Sequence, residues 1–286
     1  MATVPKDRLT HWRFEDWKRV VLRTREDVNR HFLGLAAAGV AFYSLLGLFP
    51  ALAAAVAIFG LLLDPATVQS QLAGLMDVMP EQAAGLLQGR LEALAAESST
   101  SLGLGAVLGL LVALWSATKG VKALFKSLNM AYEEPETRGW FKLNGLALLF
   151  TLGGIVFLLL AVGLIAVLPA LMGLLGMEGL GRLLAQWLRW PLLLALMVLA
   201  LGVVYRWGPS RPSPSWRWLS PGALLATGLW LLASILFSVY VGSFSNYDQT
   251  YGSLGAVVIL MMWLFLSAFA VLIGAEFNSE LERQGS

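Results

Sequence analysis

The sequence contains no cysteine and only two histidines among its 286 residues. Without cysteine, disulfide bonds, thiolate metal sites and cysteine nucleophiles are all excluded. The histidines, His11 and His31, lie near the amino terminus beside arginines, and no carboxylate pair stands near either at ligand spacing. Hydrolysis of a phosphodiester generally needs a metal-binding cluster or a paired general acid and base. We therefore predict no metal site, no nuclease activity and no enzymatic role.

Charged residues are also scarce, at 13% of the chain, whereas about 25% is usual in soluble domains. Apolar residues make up 58% of the chain, and the mean hydropathy is +0.72. No glycine-rich phosphate loop followed by Lys-Ser or Lys-Thr is present, so we predict no nucleotide cofactor. This composition is typical of a membrane protein that crosses the bilayer several times.

Six apolar runs are long enough to be spanning helices, because about 20 residues at about 1.5 Å each cross a hydrocarbon core of about 30 Å. They are Gly34–Leu63, Leu102–Thr118, Gly145–Leu168, Trp190–Tyr205, Ala223–Val241 and Leu254–Ile273. The last two contain no Asp, Glu, Lys or Arg. We predict an all-α fold with six transmembrane helices over residues 34–280, and a kink near Phe49 caused by Pro50.

Three further segments are predicted outside the bilayer core. Residues 1–33 are basic and have apolar positions near helical spacing, which is typical of an amphipathic leader lying on an anionic membrane surface. A solvated tail is the alternative. Residues 64–100 suggest two short amphipathic helices, interpreted as a collar on the outer interface. Residues 281–286 form a short cytoplasmic tail.

Lysine and arginine are divided unequally between the predicted loops. Residues 1–33, 119–142, 206–219 and 276–286 carry 17 of the 20 basic residues, and only Arg90, Arg182 and Arg189 fall on the other side. Because positive residues accumulate in cytoplasmic loops, both termini are predicted to be cytoplasmic.

Polar and aromatic residues near the ends of the spans are the candidate functional residues. Those predicted to contact or gate a substrate are Tyr43, Trp115, Lys119, Lys122, Lys126, Asn246, Tyr247, Tyr251 and Gly252. The lysines suit a lipid phosphate on the inner side, or serve as topology determinants only. The segment 246–252 suits an outer gate, or is a tight structural turn.

A second set is predicted to brace the cytoplasmic ends of the helices rather than to touch a substrate. Its members are Pro50, Asn129, Tyr132, Glu133, Arg138, Glu276 and Asn278. In this interpretation the residues near position 130 bond Arg138, or the end of the last helix at Glu276 and Asn278. Contact with a substrate is the other interpretation.

Several short motifs resemble the YihY/BrkB family of bacterial inner-membrane proteins, once described as a ribonuclease. They are Ala41–Leu46 with Phe49-Pro50, Leu114-Trp115-Ser116 with Asn129 and Ala131-Tyr132, Pro221-Gly222-Ala223, Tyr247–Ala256, and Gly274-Ala275-Glu276-Phe277-Asn278. The resemblance runs from about residue 35 to residue 280. It implies a six-helix protein of the bacterial inner membrane with a poorly defined activity, for which transport of a lipid or another amphipathic molecule is the best-supported suggestion.

Two functions follow from these observations. The first is a transporter or flippase-like protein whose partners are membrane lipids, including anionic phospholipid. The second is a scaffold that does not transport and that anchors or regulates envelope-assembly proteins. Neither function involves nucleic acid. A cavity between the helices favours the first, whereas a solidly packed bundle favours the second.

Overall fold

The structure, a computed structural model, describes residues 14–62, 99–167, 180–211, 220–243 and 253–285. Within these ranges the chain is helical and has no β-strand, which confirms the all-α prediction. The seven α-helices are α1 (Phe14–Arg30), α2 (Leu33–Leu62), α3 (Ser99–Ala131), α4 (Trp140–Val162), α5 (Leu180–Trp207), α6 (Pro221–Ser243) and α7 (Ser253–Gly285). A five-residue π-helix, Gly163–Val167, continues α4.

Five of these helices contain a segment long and apolar enough to cross a membrane. The segments are Val107–Ala131, Trp140–Ile165, Trp187–Trp207, Pro221–Gly242 and Gly255–Gln284. A sixth span results if α1 and the Leu33–Leu48 part of α2, which meet at 63°, are counted together. The chain is therefore a polytopic all-α membrane protein, as predicted. The helix α2 continues through Pro50, and the kink at Phe49 stays a prediction.

The chain turns sharply between α1 and α2 at Phe32, whose φ angle is +49°. Such a left-handed residue after a helix is the usual way to end it, although glycine is the common choice. The Phe32 amide donates to the carbonyl of Asn29 at 3.1 Å, and the His31 amide donates to that of Asp27 at 2.8 Å. These bonds fix the corner and hold His31 beside the bundle.

The corner after α3 is built in the same way at Glu133, whose φ angle is +53°. The Glu134 amide donates to the Asn129 carbonyl at 2.9 Å, and the Glu133 amide donates to the Met130 carbonyl at 3.1 Å. This pair of bonds is the Schellman arrangement that closes a helix. It ends α3 and fixes the backbone that carries Glu133.

Small residues allow α2 and α3 to cross closely. A Cβ atom on Gly47 would lie 3.1 Å from the backbone of Ala117, and one on Gly120 would lie 3.4 Å from Ser44. Close approach through small residues is the usual way for helices to associate in a membrane, because lipid gives no hydrophobic drive for association.

Buried residues are concentrated at one end of the bundle. In α6, Gly222, Ala223, Ala226 and Thr227 are buried, whereas no residue from 228 to 242 is. In α7 nothing from 256 to 267 is buried, whereas positions 274–281 are. The buried hydrophobic core lies at the same end and includes Leu33, Ala37, Phe125, Leu128, Ala147, Val198, Leu201, Tyr205, Ala226 and Leu272. The helices therefore pack tightly at the end that holds Arg30 and Ala131, and we call it the closed end.

Candidate functional site

The closest helix contact at the closed end joins α6 to α7 at two glycines. A Cβ atom on Gly222 would lie against the Gly274 carbonyl oxygen, and one on Gly274 would lie against the Gly222 carbonyl oxygen. The Tyr205 hydroxyl, also beside Gly274, donates to the Val271 carbonyl at 2.7 Å. Only glycine fits at these two positions, so the backbones of α6 and α7 are in direct contact there.

Asn278 joins the start of α6 to α7 in the next turn. Its Oδ1 accepts from the Gly222 amide at 2.7 Å, and its Nδ2 donates to Ser220 Oγ at 3.0 Å. The amide of Gly222 is one of the first amides of α6, which have no carbonyl partner within their own helix. Asn278 therefore acts as a cap supplied by another helix, and its wider bracing role stays a prediction.

Asn129 has a comparable role on the other side of the closed end. Its Oδ1 accepts from the buried Ser210 amide at 2.7 Å, and its Nδ2 donates to Glu136 at 2.9 Å. Arg138 donates twice to the same carboxylate, at 2.6 and 2.7 Å. These hydrogen bonds from Arg138, with that from Asn129, lower the pKa of Glu136 to about 2 against the opposing effect of burial. We call Asn129, Glu136, Arg138 and Ser210 the Asn129 cluster.

Tyr132 lies between the Asn129 cluster and α7. The Arg211 guanidinium lies 4.1 Å from the centre of the Tyr132 ring, and it donates to Glu282 at 2.6 Å and to the Tyr205 carbonyl at 2.8 Å. Burial raises the pKa of Tyr132 well above its ordinary value. The ring is therefore a neutral surface on which a cation from the 209–211 segment rests.

A network of ion pairs ties α1 to α7 and to the corner after α3. Glu276 is fully buried on α7, and its Oε2 lies 3.0 Å from His31 Nδ1. The other ring nitrogen, Nε2, lies 3.2 Å from Glu133 Oε1. Other ion pairs surround this bridge, and we call the whole set the His31 cluster: Arg23, Asp27, Arg30, His31, Glu133, Glu276, Glu280 and Arg283.

Glu133 is the more exposed of the two carboxylates that contact His31. Burial raises the pKa of Glu133, but Arg283 at 2.9 Å, together with Arg30 and His31, outweighs this effect and lowers it. Glu133 is therefore ionised at neutral pH and pairs with Arg30, His31 and Arg283, and its bracing role stays a prediction.

The predicted lysine contacts lie elsewhere, along α3. Lys119 Nζ lies 3.4 Å from the centre of the Trp115 ring, which is 62% exposed. Lys122 donates to Asn144 Oδ1 on α4 at 2.9 Å, and Lys126 is exposed. Tyr43, on α2, is 40% exposed and packs edge-on against Phe42. These residues lie on the surface of the bundle rather than in its buried core.

Some predicted residues fall outside the described ranges. These are the outer gate, Asn246, Tyr247, Tyr251 and Gly252, and nearly all of the collar at 64–100. They stay predictions.

Sequence reasoning missed the polar face of α1. It interpreted the segment as a leader whose apolar positions face the membrane surface, whereas the buried positions are Val20, Thr24 and Asp27, followed by His31 at the corner. This spacing of four, three and four residues was visible as a helical stripe. It was overlooked because the stripe mixes apolar and polar residues, and because His31 was treated as part of a basic leader.

The partners on α7 follow the same spacing, and of these only Glu276 was predicted. Glu276, Glu280 and Arg283 share one face of that helix, with Glu280 also buried. Glu276 pairs with His31, Glu280 with Arg23 and Arg283 with Asp27, so each is joined to the first helix or its corner. Among the residues that the structure describes, no group of three or more His, Cys, Asp or Glu is arranged to hold a metal ion.

The fold and the closed end together define a polytopic α-helical membrane protein whose helix ends are fastened by polar clusters. Residues 24–286 match the model of the Virulence factor BrkB family, and the chain belongs to that family.

Several relatives are similar over parts of the chain. The ribonuclease-like protein YfkH of Bacillus subtilis (strain 168) is 34% identical over 181 residues, which is 62% of this chain and 65% of YfkH. A UPF0761 membrane protein of Xanthomonas oryzae pv. oryzae (strain PXO99A) is 37% identical over 100 residues, 34% of this chain and 23% of that protein. The UPF0761 membrane protein Smlt0865 of Stenotrophomonas maltophilia (strain K279a) is 39% identical over 66 residues, which is 23% of this chain and 16% of Smlt0865.

The chain therefore spans about two thirds of YfkH and a quarter or less of the UPF0761 proteins. No solved structure matches it.

Proposed function

We propose that this chain is a transporter or flippase-like protein of the bacterial inner membrane that moves a lipid or another amphipathic molecule, with both termini cytoplasmic. The observation that carries the proposal is the unequal packing of α6 and α7. They touch backbone to backbone at Gly222 and Gly274, yet neither buries a residue over 228–242 or 256–267. The two helices still touch within these stretches, since Trp230 Nε1 donates to Ser267 Oγ at 3.0 Å and the Trp230 and Trp263 rings lie 6.2 Å apart. Helices fastened at one end and more loosely packed at the other can separate to admit a substrate.

The chemistry of the loosely packed part suits a substrate with an apolar body. The stretches 228–242 and 256–267 contain no Asp, Glu, Lys or Arg. A lipid tail entering between them meets no charge that it would have to desolvate, and this supports an amphipathic substrate rather than an ion.

A site for the polar head of such a lipid is offered by Lys119 and Lys122, with Trp115. Lys119 and Lys122 are one helical turn apart, and Trp115 is one turn before Lys119. Lysine beside an exposed tryptophan is typical of the interface between membrane and water, where a phosphate group lies. We propose that these residues contact anionic phospholipid, and that Tyr43 and the 246–252 segment gate the pathway.

Enzymatic activity is not part of the proposal, although YfkH has a ribonuclease-like name. Of the two histidines, His31 lies within the residues that the structure describes, and each of its ring nitrogens faces a carboxylate of its own chain. Neither nitrogen is free to remove a proton from a ribose hydroxyl, so His31 lacks the geometry of a general base.

The test is lipid movement in liposomes that contain the purified chain and a fluorescent phospholipid, with the outer leaflet bleached chemically. We expect faster loss of the inner-leaflet signal than in empty vesicles. Replacing Lys119 and Lys122 by glutamine should slow the transfer of anionic lipid several-fold and that of zwitterionic lipid less. Lys18→Gln, an exposed change on α1, is the matched control and should have no effect.

Absence of transfer above empty vesicles, with the protein folded, would contradict the proposal and favour the scaffold. The orientation is tested separately, since the chain contains no cysteine. Single cysteines at Arg25 and Lys126 should react with an impermeant reagent only from the cytoplasmic side. Labelling of the two positions from opposite sides would refute the assigned orientation.

A further inference from the structure

We propose that the His31 cluster is a proton-binding site, in which a proton held by His31 joins α1 and the corner after α3 to α7. Release of that proton loosens α1 from α7. This inference goes beyond lipid movement and does not depend on it, because it concerns how the closed end is held together. The ligand is a single proton, and the site is the imidazole between Glu276 and Glu133.

The first argument is the geometry of the ring. His31 Nδ1 lies 3.0 Å from Glu276 Oε2, and Nε2 lies 3.2 Å from Glu133 Oε1. An ionised carboxylate only accepts hydrogen bonds, and a neutral imidazole has one N–H donor and one lone pair. A neutral ring would therefore point a lone pair at one of the two carboxylates. When both carboxylates are ionised, an imidazolium donates to both, so the arrangement fits the protonated ring; a neutral ring fits it when Glu276 carries the proton and donates to Nδ1.

The second argument is the balance of charge around the ring. The charged groups that face His31 or its partners come from α1, from α7 and from the end of α3: Arg23, Asp27, Arg30, Glu133, Glu276, Glu280 and Arg283. They comprise four carboxylates and three guanidiniums. Tyr132, which lies beside Glu276, is neutral. One additional positive charge makes the cluster neutral, and a protonated His31 supplies it.

The third argument is burial. Glu276 and Glu280 are buried on α7, and Asp27 is buried on α1. An uncompensated charge in such a place costs several kcal/mol, because water cannot solvate it. Losing the proton from His31 would leave one negative charge in excess among these buried groups. Separation of α1 from α7 would let water reach them and relieve that cost.

Apart from the ion pairs of the His31 cluster, the contact between α1 and α7 has a small apolar part. The apolar part of the α1–α7 contact is Val20 with Phe277 and Leu281, and the Trp17 ring stacks on Phe277 at 6.4 Å. Histidine is the side chain whose ordinary charge change falls between pH 5 and 8.

The first experiment measures the proton on the ring. His11→Gln leaves His31 as the single histidine of the chain, so its ring nitrogens can be observed without overlap by ¹⁵N NMR of the full-length protein in nanodiscs. We expect both nitrogens to be protonated at the acidic end of a scan from pH 5 to 9, and one to lose its proton on raising the pH. A ring that stays neutral throughout the scan overturns the proposal.

The second experiment measures the position of α1. Because the chain has no cysteine, spin labels can be attached at Arg25→Cys on α1 and Lys142→Cys on α4, both exposed positions. While His31 is protonated, we expect one narrow distribution of distances between the two labels. After deprotonation, we expect a broader distribution, shifted by roughly one helix diameter or less. His11→Gln is the matched control and should behave like the parent protein.

Two variants of the site complete the test. In Glu276→Gln the amide can donate to a neutral His31, so the narrow distribution should persist across the whole scan. In His31→Gln the pH response should be lost. If either variant keeps the response of the parent protein, or if the ring loses its proton in the parent while the distance does not change, the proposal is wrong. Glu276→Gln is expected to keep α1 in contact with α7. It therefore still tests the proposal if His31→Gln fails to fold.

Discussion

Replacing Gly274 by alanine should destabilise the protein, because the added methyl group has no space where α6 and α7 cross. The new Cβ atom would meet the Gly222 carbonyl oxygen and would lie 2.6 Å from the Tyr205 hydroxyl. Ordinary van der Waals contact begins at 3.4 Å. Backbone cannot rotate aside as a flexible side chain does, so the two helices must separate.

The size of the effect follows from three contributions. Overpacking of a tight contact costs about 1–3 kcal/mol. Displacing Tyr205 weakens its 2.7 Å hydrogen bond to the Val271 carbonyl, at a further cost of about 1 kcal/mol. The greater helix propensity of alanine returns about 1 kcal/mol. The net loss is about 2 kcal/mol, which corresponds to a melting temperature about 4–8 °C lower.

Gly228→Ala is the matched control, since it makes the same chemical change in the middle of α6. A Cβ atom there has nothing within 4 Å. We expect the melting temperature to stay the same or to rise, because alanine adds up to about 1 kcal/mol of helix stability. Tryptophan fluorescence of the detergent-solubilised proteins, heated at one scan rate, compares the variants. If Gly274→Ala melts at or above the temperature of Gly228→Ala, the assigned contact is wrong.

Three further predictions concern the closed end. Asn129→Ala leaves the buried Ser210 amide without its acceptor, which should cost about 1–3 kcal/mol in thermal unfolding. Phe125→Ala empties a fully buried core position and should cost about 3–5 kcal/mol by the same measurement. The ion pair of Glu136 with Arg138 stabilises the folded protein above pH 4.5, and this stability should be lost as the pH falls towards about 2. In acid titrations of unfolding, Glu136→Gln should lack this loss.

Each of these predictions has a control in the same region. Lys126→Ala, exposed on α3, should leave the melting temperature unchanged, in contrast to Asn129→Ala. Phe141→Ala removes a ring that is 84% exposed and should cost far less than Phe125→Ala. Equal losses within either pair would refute the assigned burial. An identical acid profile for the parent protein and Glu136→Gln would refute the assigned ion pair.

Hydropathy was sufficient to predict the helices, because lipid leaves the backbone no other partner for its amides. The runs at 223–241 and 254–273 correspond to parts of α6 and α7. The end of the last run could not be predicted, since α7 continues as a polar helix to Gly285. That extension is stabilised by contacts with other helices, which periodicity within one helix does not reveal.

The contacts of the candidate site could not be predicted for a related reason. Asparagine near helix ends pointed to bracing, and the structure shows hydrogen bonds from Asn129 and Asn278 to other segments, while the bracing role itself stays a prediction. The interpretation of residues 1–33 as a membrane-surface leader did not include Asp27 and His31 as partners of α7. Pairing between residues some 245 positions apart is set by the packing of the bundle. Local sequence carries no record of that packing.

The order in which the chain is synthesised gives the polar face of α7 a particular importance. Asn278 caps α6, Glu276 receives His31, and Arg283 contacts Asp27, so each of these earlier elements has its partner on α7. During translation the earlier helices can enter the bilayer, but these polar groups stay unmatched until α7 is made. Assembly of the closed end therefore waits for α7, and quality control that recognises unmatched polar groups would act in that interval.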